Sequence, residues 1–106
     1  LSGKCRNGQM PKNSRQSLFK GWERMINPLA MKAYDEYHKL AKKNNFTMVQ
    51  LAQAFVNSRP FVTSNIIGAT TMEQLKENVE SINIELTEDI MNEINLIHNN
   101  NPNPAP

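Results

Sequence analysis

Long apolar runs are missing from this 106-residue chain. Nothing approaches the roughly 18–20 consecutive apolar residues that cross a bilayer, and no signal-peptide pattern opens it. Cysteine is nearly absent. Cys5 is the single one, which excludes an internal disulfide and a metal cluster built on cysteine. That usage fits a reducing, cytoplasmic setting. An excess of either charge is lacking too: twelve Lys and Arg against ten Asp and Glu leave +2, too little to argue by itself for nucleic acid or a membrane surface. What remains is polar on average, with modest aromatic content and several asparagine clusters. A chain of this length fits one small domain, burying about 60–70% of its unfolded surface. It begins at Leu1, which is compatible with a chain cut from something larger.

The segment from Leu1 to Asn27 shows no sustained periodicity; Gly3, Gly8, Pro11 and Lys12-Asn-Ser-Arg15 read as an irregular loop. Within it, Leu18, Phe19, Trp22 and Met25 fit a short helical turn over Ser17 to Ile26. Asn27-Pro28 has the form of a helix entrance, asparagine as cap and proline first in the helix. That helix is expected to run to Lys43, turn Ala33, Tyr34, Tyr37, Leu40 and Ala41 inward, and stop at Asn44-Asn45. Thr47 to Gln50 spells a capping box and opens a second helix through Leu51, Ala52, Phe55 and Val56, ended by Arg59-Pro60. Val62 to Ile67 is the best strand candidate. A third helix begins near Thr71, where Thr-x-x-Gln recurs with Gln74, and a final one after Thr87-Glu-Asp carries Ile90, Met91, Ile94 and Ile97. The Asn99 to Pro106 tail is rich in Asn and Pro and reads as loose.

The most informative stretch is Ser64 to Ile82. A short apolar run, Ile66-Ile67, meets Gly68 and passes at once into a helix signal at Thr70-Thr71. A chain that turns through glycine into a helix presents unpaired N–H groups there, and the helix macrodipole favours an anion at the same place. Gln74, Glu77 and Asn78 then fall on one helix face, while Leu75, Val79 and Ile82 form a separate apolar stripe. One strand among four helices has no ladder partner, so it implies a sheet supplied from outside this sequence.

Gly68-Ala-Thr-Thr-Met-Glu-Gln-Leu-Lys-Glu-Asn78 resembles the cofactor signature near the C-terminus of aldo/keto reductases. It looks most like the branch holding Tas-like bacterial reductases and the potassium-channel beta subunits. Leu1-Ser-Gly-Lys4, Leu51-Ala-Gln-Ala-Phe-Val56 and Ile84-Glu-Leu86 with its following helix resemble further family pieces, in the same order. The resemblance implies an α/β fold. The chain would be the C-terminal fragment of a (β/α)8 TIM barrel, mostly helical with one parallel strand. It divides the sequence into a cofactor-covering loop (1–27), a helical segment (28–58), the last strand with its cofactor-binding helix (62–82), a closing helix (83–98) and a tail (99–106).

Carried over position by position, Gly68, Ala69 and Thr70 would approach the phosphate on the adenosine ribose. Gln74 stands where many relatives carry arginine, and Glu77 and Asn78 would hydrogen-bond near the adenine edge. Lys4 would meet a cofactor phosphate, and Arg15 would come from the loop over the dinucleotide; Cys5 departs from the tyrosine often found after Gly-Lys. Read from the residues alone, Gln74 completes a capping box with Thr71, Glu77 and Asn78 are a solvated helix face, and Lys4 and Arg15 are ordinary loop charges.

The implied function is the cofactor-binding part of an NADP(H)-dependent oxidoreductase that reduces aldehydes or ketones, with NAD(H) also open because Gln74 brings no charge to a 2′-phosphate. The family's catalytic tyrosine and its partners fall outside this sequence, and Tyr34 and Tyr37 fit a packed helix face instead. One alternative is a non-catalytic, nicotinamide-binding regulatory subunit. Another is a helix-turn-helix nucleic-acid module at 28–43 and 47–57, which the absence of any basic residue over 47–57 opposes. Neither His38 nor His98 falls into a triad or metal-ligand pattern, and Gly3-Lys4 lacks P-loop spacing. The isolated chain is therefore expected to be marginally folded and to show no turnover of NADPH with a carbonyl substrate; robust turnover in that assay would overturn the fragment reading.

Overall fold

The computed structural model describes residues 9–19 and 26–105, and there the side chains of Arg15 and Gln16 fall outside the description. Five α-helices occur among these residues: α1 (Arg15–Leu18), α2 (Pro28–Lys43), α3 (Met48–Asn57), α4 (Met72–Glu80) and α5 (Glu88–Asn100). A 3-10 turn, Ser81–Asn83, continues α4. The helical turn expected over 17–26 falls partly outside the described residues, and α1 lies at its leading edge.

Local chemistry accounts for each helix boundary. The Asn27 carboxamide oxygen accepts from the Ala30 N–H at 2.9 Å, with Pro28 first in α2. At the other end the chain turns through Asn45 with φ 58°, a left-handed conformation that asparagine tolerates and branched residues do not. Phe46 N–H then reaches back to Ala41 O at 2.9 Å and Asn45 N–H to Lys42 O at 3.2 Å, the two bonds of a Schellman motif. Directly afterwards α3 opens with a complete capping box. Thr47 Oγ1 accepts from the Gln50 N–H at 3.0 Å, and Gln50 Oε1 accepts from the Thr47 N–H at 2.9 Å. Thr87 caps α5 through Ile90 N–H, and Glu88 and Asp89 occupy the first turn, where the macrodipole favours them.

These turns bring α2, α3 and α5 together around Leu40, Ala41, Met48, Leu51, Ile90 and Ile94. Tyr34, Tyr37, Phe46, Phe55, Leu86, Met91 and Ile97 pack against that cluster, so the inward faces read from the helical periodicity are the faces that pack. Ala30, Ala33, Ala41 and Ala54 are also buried, and their small side chains let the helices approach closely. Of the 99–106 stretch, expected to be loose, the described residues start within α5 and are held beyond it at Asn101 and Pro104. Asn101 is buried and donates to Glu36 Oε2 at 2.7 Å, and Pro104 O accepts from Asn27 Nδ2 at 2.9 Å.

The expected α/β class, with a parallel strand at 62–67 in a piece of a TIM barrel, is corrected: the described residues contain helices and no strand. Residues 63–70 make no backbone–backbone hydrogen bond among the described residues. Ile66 is 95% exposed and Phe61 80% exposed. A β-strand exists only as part of a ladder, and no neighbouring described segment offers its N–H and C=O groups in register. Apolar, β-branched composition alone leaves an irregular connection between α3 and α4.

Two substitutions check this account by chemical denaturation of the chain. Ile94→Ala, which empties the centre of the cluster, is expected to lower stability by about 2–5 kcal/mol, or to abolish folding where that exceeds the total. Asn45→Val forces a β-branched residue into the left-handed turn and is expected to cost about 1–2 kcal/mol, whereas Asn45→Gly leaves stability unchanged or raises it.

Candidate functional site

Of the eight positions singled out from the sequence, the structure gathers six around the start and one face of α4. Lys4 lies outside the described residues, and Arg15 contributes a backbone position in α1 while its side chain is outside the description. Gly68, Ala69 and Thr70 lead into α4 as exposed chain. A Cβ built on Gly68 would meet no atom of the described residues within 4 Å, so among them the space above this peptide is open to an approaching group.

The helix start is capped by its own residues. Thr71 Oγ1 accepts from the Gln74 N–H at 3.3 Å. The Gln74 carboxamide does not return to Thr71, as a capping box requires; its Oε1 accepts from Thr70 N–H at 2.9 Å and from the Thr70 hydroxyl at 3.1 Å. An uncharged oxygen thus sits where the helix start offers donors, the position in which an anion oxygen would be stabilised. Glu73 lies in the same turn. Its own N–H and the Thr71 hydroxyl hold its carboxyl below the usual carboxylate value, against a lesser opposing effect of desolvation.

Glu77 and Asn78 are half-buried and bonded rather than solvated. Glu77 Oε1 accepts from the Thr47 hydroxyl at 2.6 Å, which links α4 to the cap of α3. Asn78 Nδ2 donates to Gly68 O at 3.2 Å, drawing the connection back onto the helix it enters, and Asn78 Oδ1 accepts from Gln53 Nε2 at 3.4 Å. Thr47 and Gln53, at the start and in the middle of α3, carry no motif signal for this site. The spacing of Gln53 from the buried Leu51 and Ala54 shows only that it belongs to another face of α3. The apolar stripe that runs from α4 into the 3-10 turn is solvent-exposed, with Leu75 at 39%, Val79 at 56% and Ile82 at 72%.

A concavity lies between α2, α3 and α5. It is an apolar groove of about 510 Å³ lined by Tyr37, Leu51, Phe55, Ile94, Asn95 and His98 among others. Burial and the Glu36 charge push the Tyr37 phenol up from its ordinary value, which keeps it protonated. No group of three or more His, Cys, Asp or Glu suited to a metal occurs among the described residues, and no described helix is long and apolar enough to cross a membrane.

The aldo/keto reductase family model matches residues 1–99. Protein tas of Escherichia coli (strain K12) is 42% identical over 106 residues, covering 100% of this chain and 31% of its own length. An aldo-keto reductase of Babesia bovis is 33% identical over 73 residues, 66% of this chain and 26% of that protein. A putative voltage-gated potassium channel subunit beta of Schizosaccharomyces pombe is 36% identical over 66 residues, 60% of this chain and 19% of that protein. The chain therefore spans less than a third of the length of these relatives.

The cap chemistry at α4 has a pH signature. Because the carboxyl of Glu73 titrates lower in the folded chain than in the unfolded one, the ionised group contributes stability that is present above its ordinary value. That contribution is lost as pH falls through the lower, folded one. Glu73→Gln is expected to lower the melting temperature at neutral pH, and the gap to the parent chain should close in acid; circular dichroism melts across that range give the comparison.

Proposed function

Because the chain belongs to the aldo/keto reductase family, we propose that it is the C-terminal, cofactor-binding part of an oxidoreductase that reduces aldehydes or ketones by hydride transfer, with NADP(H) preferred. The observation that supports the reading most directly is the Gly68-to-Asn78 segment: an open peptide at Gly68, donors converging on the Gln74 oxygen at the helix start, and two further polar side chains on the same helix. Those features fit the adenosine end of a dinucleotide. The backbone around Gly68 admits a phosphate without a side chain in the way, and the Thr70 N–H and hydroxyl are donors that an anion can take over from Gln74.

In this reading Gly68, Ala69 and Thr70 hold the ribose phosphate, Gln74 moves aside or bonds to it, and Glu77 and Asn78 serve the adenine end. Lys4 and Arg15, from the segment that precedes α2, supply cationic contacts to the phosphates. The bound nicotinamide supplies the hydride. The residues of this chain contribute orientation: they fix one end of a long ligand so that its reactive end is delivered to a carbonyl. The groups that move the proton belong to the remainder of the protein, and Tyr37 has no part in it, being packed against the core cluster. We place the protein in the cytoplasm.

The relative named as a potassium-channel subunit beta supports a second reading, in which the same site binds the dinucleotide to regulate a partner and not to turn over a carbonyl. Both readings require nicotinamide binding, and turnover separates them. Fluorescence titration of the complete protein with NADPH and NADH is expected to show saturable binding of both, tighter for NADPH. Equal affinities would remove the preference for the phosphorylated cofactor, and no binding of either would overturn both readings.

A further inference from the structure

Three side-chain amides outside the sequence-derived site converge on it. Asn65, in the connection between α3 and α4, donates through Nδ2 to Gln53 Oε1 at 2.5 Å and to Asn57 Oδ1 at 3.1 Å. Gln53 then donates through Nε2 to Asn78 Oδ1 at 3.4 Å, and Asn78 donates through Nδ2 to Gly68 O at 3.2 Å. Gln53 and Asn78 each accept on the oxygen and donate from the nitrogen, so the bonds run in one direction from Asn65 to the Gly68 carbonyl. A carboxamide has one donor end and one acceptor end, so its orientation is set by its partners. With its oxygen engaged by Gln53, Asn78 must turn its nitrogen toward Gly68. A flipped Asn78 would set two oxygens against each other at Gly68 and two N–H groups against each other at Gln53.

We propose that Gln53 is a positioning residue for the dinucleotide site, acting through this one-way amide relay to fix the orientation of Asn78 and the direction of the Gly68 peptide. The inference rests on the cofactor reading of Gly68 to Asn78 and adds to it a residue on α3 that reaches the Gly68 peptide through Asn78. The Gly68 carbonyl is bonded from the helix side, so its peptide plane is set before a ligand arrives. A fixed peptide costs less to order on binding than a mobile one. The relay crosses from α3, which also carries the buried Leu51 and Ala54, so the site is referenced to the packed core and not to the exposed connection alone.

The direction of the relay gives the test. Gln53→Glu keeps an acceptor for Asn65 but has no donor for Asn78; Gln53→Leu removes both. In the complete protein without ligand, both variants are expected to shift the Gly68 carbonyl carbon and Ala69 amide nitrogen resonances, which report the hydrogen bond at the Gly68 carbonyl, read by NMR. Both should raise KM for NADPH about 2- to 10-fold while leaving kcat unchanged, the range expected for one net hydrogen bond. Gln53→Glu combined with Asn78→Leu should bind NADPH no more weakly than Asn78→Leu alone, because the first substitution acts only through the second residue. Unchanged Gly68 and Ala69 resonances in Gln53→Glu overturn the relay. Shifted resonances with an unaltered KM, or an additive double variant, overturn the positioning role. Should the parent protein itself fail to bind NADPH, the cofactor reading falls with the positioning role, while the resonance measurement still decides whether the relay exists.

Discussion

The Thr47 hydroxyl is the group on which the two parts of the structure meet. Its oxygen accepts from the Gln50 N–H and so begins α3, and its hydrogen goes to the Glu77 carboxylate on α4 at 2.6 Å. One hydroxyl can do both, having a donor and two lone pairs. The bond to a carboxylate is of the stronger, charge-assisted kind. With α3 held at this end, Leu51 and Ala54 turn into the packed interior beside α2 and α5, and Gln53 turns toward α4. The helix is a divider, apolar on one side and polar on the other. The candidate site is built on its polar side.

This division explains why α4 presents an apolar stripe to solvent. Leu75, Val79 and Ile82 recur at helical spacing, and that pattern ordinarily marks a packed face. Here the hydrogen bonds to α3 come from the polar residues Glu77 and Asn78, and the apolar residues of the stripe stay exposed. Ile66 and Phe61 are exposed as well. The periodicity is legible in the sequence and its consequence is not, since helical spacing says which residues share a face and not whether a neighbour exists. The same gap accounts for the strand expected at 62–67. Composition there favours a strand, but a ladder needs a second segment that no local pattern can supply, and irregular chain is what forms.

Helix ends are the most legible features because their chemistry is local. Asn27-Pro28, Thr47-x-x-Gln50 and Thr87-Glu-Asp each place a side-chain oxygen within one turn of the N–H it captures, and each cap forms. Thr71-x-x-Gln74 shows the limit of the pattern. Thr71 caps as written, yet the glutamine half of the box reaches Thr70, because the chain entering the helix brings that N–H and hydroxyl within its range. Six of the eight candidate positions lie along one local stretch, so a single motif reveals them together. Gln53 and Asn65 have no such signal. Gln53 lies 25 residues from Asn78 along the chain and meets it only because α3 packs against α4, and Asn65 joins them through Gln53.

The charge balance at the start of α4 bears on cofactor choice. The described donors there, the Thr70 N–H and hydroxyl, face a neutral amide oxygen, and the nearest first-turn acid, Glu73, is held ionised by its N–H and by Thr71. Lys76, one turn on, reaches Glu80 at 3.7 Å. A 2′-phosphate arriving at this helix start would gain the macrodipole and the Thr70 donors and meet repulsion from Glu73, with no uncommitted cation on α4 to offset it. A ribose hydroxyl would meet no such repulsion. A preference for the phosphorylated cofactor therefore cannot originate in the Gly68-to-Asn78 segment alone. It requires positive charge from elsewhere, and the residues proposed for that role are Lys4 and Arg15. In the proposed reading, cofactor selection would then turn on Lys4 and Arg15, and cofactor placement on the start of α4.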